Sequence, residues 1–160
     1  METDENANLV PAAYTTGLLR PGIGRVLREA SKAWNRLLQD RLADHDIGLA
    51  EYLHLRALWS NDGISQIKLA QRIGIEKASS TAVLNSLEAK GLIHRSRDAG
   101  DRRKVNVFLT EEGKSRKETL LPVAHTVAFQ AIRGFREEEV PLLVSLLQRM
   151  TSNLLDDPQK

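Results

Sequence analysis

The apolar period of this chain changes abruptly at Gly91. Before it, ISQIKLAQRIGIEKASSTAVLNSLEAKGL carries two short helical patterns split by Gly74. Ile67, Leu69, Ala70 and Ile73 serve the first; Ser80, Val83, Leu84 and Leu87 lie on one face of the second, which Lys90-Gly91 ends with a basic last turn and a glycine stop. After Gly91, Leu92-Ile93-His94-Arg95 is a short strand and DAGD can turn. Val105, Val107 and Leu109 then alternate with Asn106, Phe108 and Thr110 as a half-buried returning strand does. Helix, tight turn, helix and then a hairpin is a winged helix-turn-helix pattern.

The hairpin also concentrates charge. RSRDAGDRRK gathers Arg95, Arg97, Arg102, Arg103 and Lys104 around a turn that holds only Asp98 and Asp101. Folding gives no reason for this, since clustered cations repel and a hairpin tip buries nothing. The net charge is only +2, so the basic character is local. A polyanion explains it: the second helix can enter a major groove while the hairpin follows the backbone and offers its tip to the minor groove. Arginine suits a narrow minor groove because it desolvates more readily than lysine. The competing reading is a solvated charged tip. Lys77, Ser79, Ser80, Thr81 and Asn85 are the DNA-facing candidates on the second helix, although serines and threonine can also simply populate its first turns.

The flanks are helical. Ile23, Val26, Leu27, Ala30, Ala33, Trp34, Leu37, Leu38 and Leu42 predict a long helix to about Ala43, and DHDIG breaks it. A second helix runs roughly from Leu49 to Ser60, ending at Asn61-Asp62-Gly63. Thr110 can cap a helix that reaches about Arg133 with a bend at Pro122, and a last helix spans about Glu137 to Leu155. This predicts a mainly α fold with a small β-hairpin wing. The expected organisation is a mobile arm over 1–20, a helical dimerisation region over 21–47 and 111–157, and a DNA-binding lobe over 48–110.

A length of 160 residues fits one cooperative unit, and 41% hydrophobic residues is ordinary for a globular protein. There is no cysteine, which excludes disulfides and thiol chemistry. No apolar run approaches the ~20 residues that span a bilayer, and METDENANLV is acidic where a signal peptide is basic. A cytoplasmic protein with no membrane partner is expected.

Residues 65–113 resemble the core of the MarR family of bacterial transcription regulators. Leu69-Ala70, Leu87-Glu88, Lys90-Gly91-Leu92, Asp98, Asp101-Arg102-Arg103, Val107, Leu109-Thr110 and Gly113 fall in register with that family's LA, LE-x-KGL, D-x-x-DRR and V-x-LT-x-x-G pattern. The resemblance covers roughly residues 20 to 155. It implies a homodimer whose first and last two helices interleave, a pseudo-palindromic operator with half-sites ~10 bp apart, repression by default, and release by a small aromatic acid or acyl-CoA. By resemblance the effector pocket falls among Trp34, Tyr52, His54, Trp59 and His125; read from the residues alone, Trp34, Tyr52 and Trp59 are more often core than ligand cage, and His125 is a packing or surface residue. One departure is Thr81-Ala82, where many members place an arginine. The outward face by helical phase is Ala78, Ala82, Asn85 and Ala89, which lacks the arginine-to-guanine fork and shifts discrimination toward the wing and DNA shape.

A second class of function uses Glu51, His54 and His125 in a helical metal-binding protein or enzyme. No second ExxH, Ser-His-Asp set, phosphate loop or dinucleotide fingerprint accompanies it, so neither cofactor nor metal is expected. Asp101 can cap the hairpin turn or hold Arg103 by an ion pair. If Arg103 enters the minor groove, Arg103→Ala weakens duplex binding by ~1 to 3 kcal/mol. The loss shrinks on wide-groove sequences; unchanged affinity at fixed salt would make the cluster a soluble tip.

Overall fold

The computed structural model describes residues 22–97, 100, 101 and 104–156; the expected N-terminal arm lies outside the described residues. The described elements are α1 (Ile23–Ala43), α2 (Leu49–Ser60), β1 (Ile64–Ser65), α3 (Gln66–Ile73), α4 (Lys77–Ala89), β2 (Ile93–Arg97), β3 (Val105–Leu109), α5 (Glu111–Ala131) and α6 (Glu139–Leu155). The fold is mainly α with a small antiparallel sheet, as the change of period at Gly91 predicts. None of these helices is long and apolar enough to cross a membrane.

Helix α2 is apolar nearly all round, and accordingly becomes the hub. It packs against α1, α3, α4, α5 and β3, burying Tyr52, Leu55 and Leu58. Leu42 of α1, Leu84 and Leu87 of α4, Val107 of β3 and Leu120 of α5 complete one continuous core. Each such leucine contributes about 1.5–3 kcal/mol by leaving water.

The ends of α1 differ. Leu38 and Leu42 are buried, whereas Ile23 and Val26 near the start are about half exposed, at 50% and 47%. Helix α6 buries no residue at all, and Leu142, Leu143, Val144, Leu146 and Leu147 face solvent. Among the described residues nothing covers this apolar face, which is larger than the scattered apolar side chains an ordinary surface carries. The sequence expectation for α6 began two residues too early, at Glu137. Helix α5 passes through Pro122 without interruption and ends at Ala131, not Arg133.

Strand order is β1-β3-β2. The wing strands pair as expected, from Ile93 opposite Leu109 to Arg97 opposite Val105. Strand β1, two residues long, was not foreseen; it pairs Ile64 with Val107 and Ser65 with Asn106. The Asp62 carboxylate pins it by accepting the amides of Gly63 and Leu109, the latter at 2.8 Å. Ile67, expected on the inner face of α3, is instead 50% exposed, because that short helix buries only Leu69 and Ala70.

Helix α5 starts at a tight joint. The Thr110 hydroxyl accepts the Gly113 amide and donates to the Gly91 carbonyl, and the Thr110 amide donates to the Leu92 carbonyl. Glu111 and Glu112 occupy the electropositive first turn. A Cβ on residue 113 would lie 2.0 Å from the Leu92 carbonyl oxygen, which only backbone movement could relieve. Gly113→Ala should therefore lower stability by about 3 kcal/mol, read as the urea midpoint of unfolding. A midpoint equal to the parent's would mean that the wing and α5 do not meet this closely.

Candidate nucleic-acid interface

Gly74 lets α3 turn into α4, because φ of +78° ends α3 in a left-handed conformation that suits a residue without a Cβ. Helix α4 then divides as its phase requires. Ser80, Leu84 and Leu87 are buried, while Lys77, Ala78, Ser79, Ala82, Asn85 and Ala89 are exposed along the opposite side. Thr81 is half-buried between them.

Ser80 therefore departs from the expected DNA contact. Its side chain is fully buried, and its hydroxyl lies 3.0 Å from Nε2 of His54, whose Nδ1 lies 2.7 Å from the Ala50 carbonyl. A neutral imidazole fits: Nδ1–H donates to the carbonyl and Nε2 accepts from serine. Burial lowers the His54 pKa, against a smaller opposing effect of the Ala50 carbonyl. Thr81 accepts a hydrogen bond from Gln66 at 2.8 Å and donates to the Lys77 carbonyl, so its hydroxyl braces α3 against α4.

The far end of α4 is fixed by charge. Glu51, almost wholly buried, accepts from the Ser86 hydroxyl at 2.6 Å, the Gly48 amide at 2.8 Å and the Lys90 ammonium at 3.0 Å. Burial alone would raise the Glu51 pKa, but these three donors and the charge of Lys90 hold it below the usual value. Every member of the cluster is satisfied, and removing one partner would strand the others in a poorly solvated site.

The base of the wing is equally constrained. Arg95 was expected on DNA; it is instead locked onto α4, with Nε 3.1 Å and Nη2 2.5 Å from one Glu88 oxygen and its backbone amide 3.0 Å from the other. Nη2 also donates to Asn85 Oδ1 at 2.8 Å. The hydrogen bonds from Arg95 draw the Glu88 pKa down. Neither Glu88 nor Gln66 was singled out in the sequence, and Glu88 sits inside the LE-x-KGL motif as its only signal.

Further out, Arg97 and Lys104 are exposed. Asp101 turns the hairpin by accepting the Lys104 amide at 2.8 Å, with Lys104 Nζ 3.7 Å from its carboxylate. Arg102 and Arg103 lie outside the described residues. Exposed Lys77, Ser79, Asn85, Arg97 and Lys104 thus remain as the described groups able to meet a duplex, and α4 with the wing presents them on one lobe.

The expected pocket is not brought together as an open cavity. Tyr52 and His54 are buried, and Tyr52 packs edge-on against Trp59 with ring centres 6.2 Å apart. The Trp59 indole donates to the Gly113 carbonyl at 2.9 Å, which makes it part of the wing–α5 joint. Trp34 on α1 and His125 on α5 are the exposed members. The metal reading also fails on geometry: both Glu51 oxygens and both His54 nitrogens are already engaged, and His125 is an exposed residue on another helix. No cluster of metal-ligating side chains occurs among the described residues.

Known proteins share this arrangement. Residues 47–105 match the MarR family. The HTH-type transcriptional regulator TtmR of Methylorubrum extorquens is 32% identical over 125 residues, which cover 78% of this chain and 63% of that protein, so the chain spans less than two thirds of that relative. A MarR transcriptional regulator from Methanosarcina mazei superposes with a TM-score of 0.78 at 26% identity, covering 83% of this chain and 96% of the other. BpsR of Bordetella bronchiseptica, solved in a study of how 6-hydroxynicotinic acid regulates its DNA binding, gives 0.75 at 29% identity, covering 81% and 98%. With the helix-turn-helix and the wing strands in place and the motif residues in register in the sequence, residues 47–105 are a winged helix-turn-helix domain of the MarR family.

Proposed function

We propose that the protein is a sequence-specific DNA-binding repressor that acts as a homodimer and leaves its operator when a small aromatic acid or acyl-CoA binds. The observation that carries the DNA reading is the exposed face of α4, set beside a wing that holds Arg97 at the end of β2 and Lys104 just before β3. Residues 48–110 are the DNA-binding lobe in this reading, and 21–47 with 111–157 form the dimerisation region. The uncovered leucines of α6 and the exposed Ile23 and Val26 support a second copy as their cover, since a symmetric pair can bury the same stripe twice. Two lobes related in this way fit a pseudo-palindrome with half-sites ~10 bp apart. Arg102 and Arg103 are assigned to the wing tip from the sequence.

The effector is assigned to the region where α1, α2 and α5 pack together, with Trp34 and His125 as its exposed aromatic groups. The regulation of BpsR DNA binding by 6-hydroxynicotinic acid supports an aromatic acid. Such a ligand must bind the DNA-incompetent lobe spacing better than the competent one, and ~1 to 3 kcal/mol of coupling gives a working switch.

Two measurements test this reading. Light scattering at micromolar concentration should report a dimer, and random-sequence selection should return an inverted repeat; a monomer both free and on DNA would overturn the assembly. Aromatic acids and their coenzyme A thioesters should release the selected duplex, with Trp34→Ala blunting the response. Release by peroxide alone, with no organic compound effective, would replace the effector by methionine oxidation.

A further inference from the structure

The hydrogen bonds around Asn85 restrict what it can read. An exposed asparagine on a recognition helix ordinarily pairs with adenine, accepting from N6 with Oδ1 and donating to N7 with Nδ2. Here Oδ1 is already taken by Arg95 Nη2 at 2.8 Å. The orientation of the amide follows from chemistry: a guanidinium has donors only, so the atom facing it is the oxygen and Nδ2 is turned away. Arg95 is not free to withdraw, because Glu88 holds its Nε, its Nη2 and its backbone amide together. A second lone pair remains on Oδ1, but a base donor approaching it meets the positive charge of the guanidinium.

The same network removes the nearest carboxylate acceptor on α4. A free Glu88 could accept from cytosine N4, yet its oxygens are committed to Arg95. The neighbouring exposed positions, Ala78, Ala82 and Ala89, carry methyl groups only. What faces outward around Asn85 is thus an amide donor beside the Arg95 guanidinium, itself donor-only, with the methyls of Ala82 and Ala89 nearby.

We propose that Asn85 acts as a donor-only specificity residue and selects guanine, with its O6 and N7 acceptors, over adenine at the base pair it covers. Arg95 is the positioning residue that imposes this choice, and Glu88 fixes Arg95. The inference rests on the DNA-binding reading and deepens it.

The test uses the full-length protein and duplexes recovered by random selection. The base pair covered is the one at which Asn85→Ala relaxes the recovered sequence. Affinities are then measured at fixed salt for guanine and adenine at that position. The parent should prefer guanine by about fivefold or more, the scale of a good base contact. The double variant Glu88→Gln/Arg95→Met, which frees Oδ1 without leaving a lone charge, should lose that preference or reverse it toward adenine while still binding an inverted repeat. Adenine preferred by the parent, a guanine preference untouched in the double variant, or no position relaxed by Asn85→Ala would each overturn the proposal with DNA binding intact. Failure of the parent to enrich any duplex would instead overturn the DNA-binding reading on which it stands.

Discussion

The Leu92 carbonyl is the meeting point of three elements. It follows the Gly91 stop of α4, opens the wing at β2, and receives the Thr110 amide at the start of α5. Gly113 lies against the same oxygen, and the Gly113 carbonyl in turn holds the Trp59 indole of α2. Recognition helix, wing, hub helix and long helix are thereby referenced to a few backbone atoms. Cores of this density do not deform continuously, so a shift of α5 must either carry the wing with it or break this joint.

Orientation of α4 depends on a second set of contacts, all polar. His54–Ser80 anchors its first half from within, Gln66–Thr81 braces it from α3, and Glu51 with Ser86 and Lys90 fixes its end. Apolar burial is non-directional and by itself leaves the rotation of a helix about its axis loosely defined. Hydrogen bonds of fixed length and direction do not, and buried polar groups left without partners are costly. For the proposed fit of this outward face to a groove, accuracy of rotation matters more than the modest net stability of each bond.

Much of this was legible in the residues. The period change at Gly91, the turn at Gly74, the Thr110 cap and the outward face of α4 all follow from local pattern. What was hidden has one cause: the decisive partners are distant in sequence or separated by a turn. Ser80 was read both as part of the inner face and as a DNA contact, and only His54, 26 positions away, decides between them. Arg95 looked like one more cation in a basic ribbon until the chain reversal at Gly91 brought it back against Glu88. Strand β1 is two residues long, too short for any periodicity to register, and exists because Asp62 holds the edge of β3.

The alanines on the outer side of α4 carry a different implication. Ala78, Ala82 and Ala89 are exposed, touch none of the buried polar anchors, and sit in a helix fastened from its other faces. Replacing an exposed helical alanine by arginine, glutamine or lysine costs only a few tenths of a kcal/mol in helix propensity. The surface that the proposed function assigns to the base edges is therefore decoupled from the parts that keep the fold. Such a scaffold is easy to rewrite: new operators can be reached by single substitutions on this face, which makes the chain a natural starting point for orthogonal regulators and gives duplicated copies a short route to divergence.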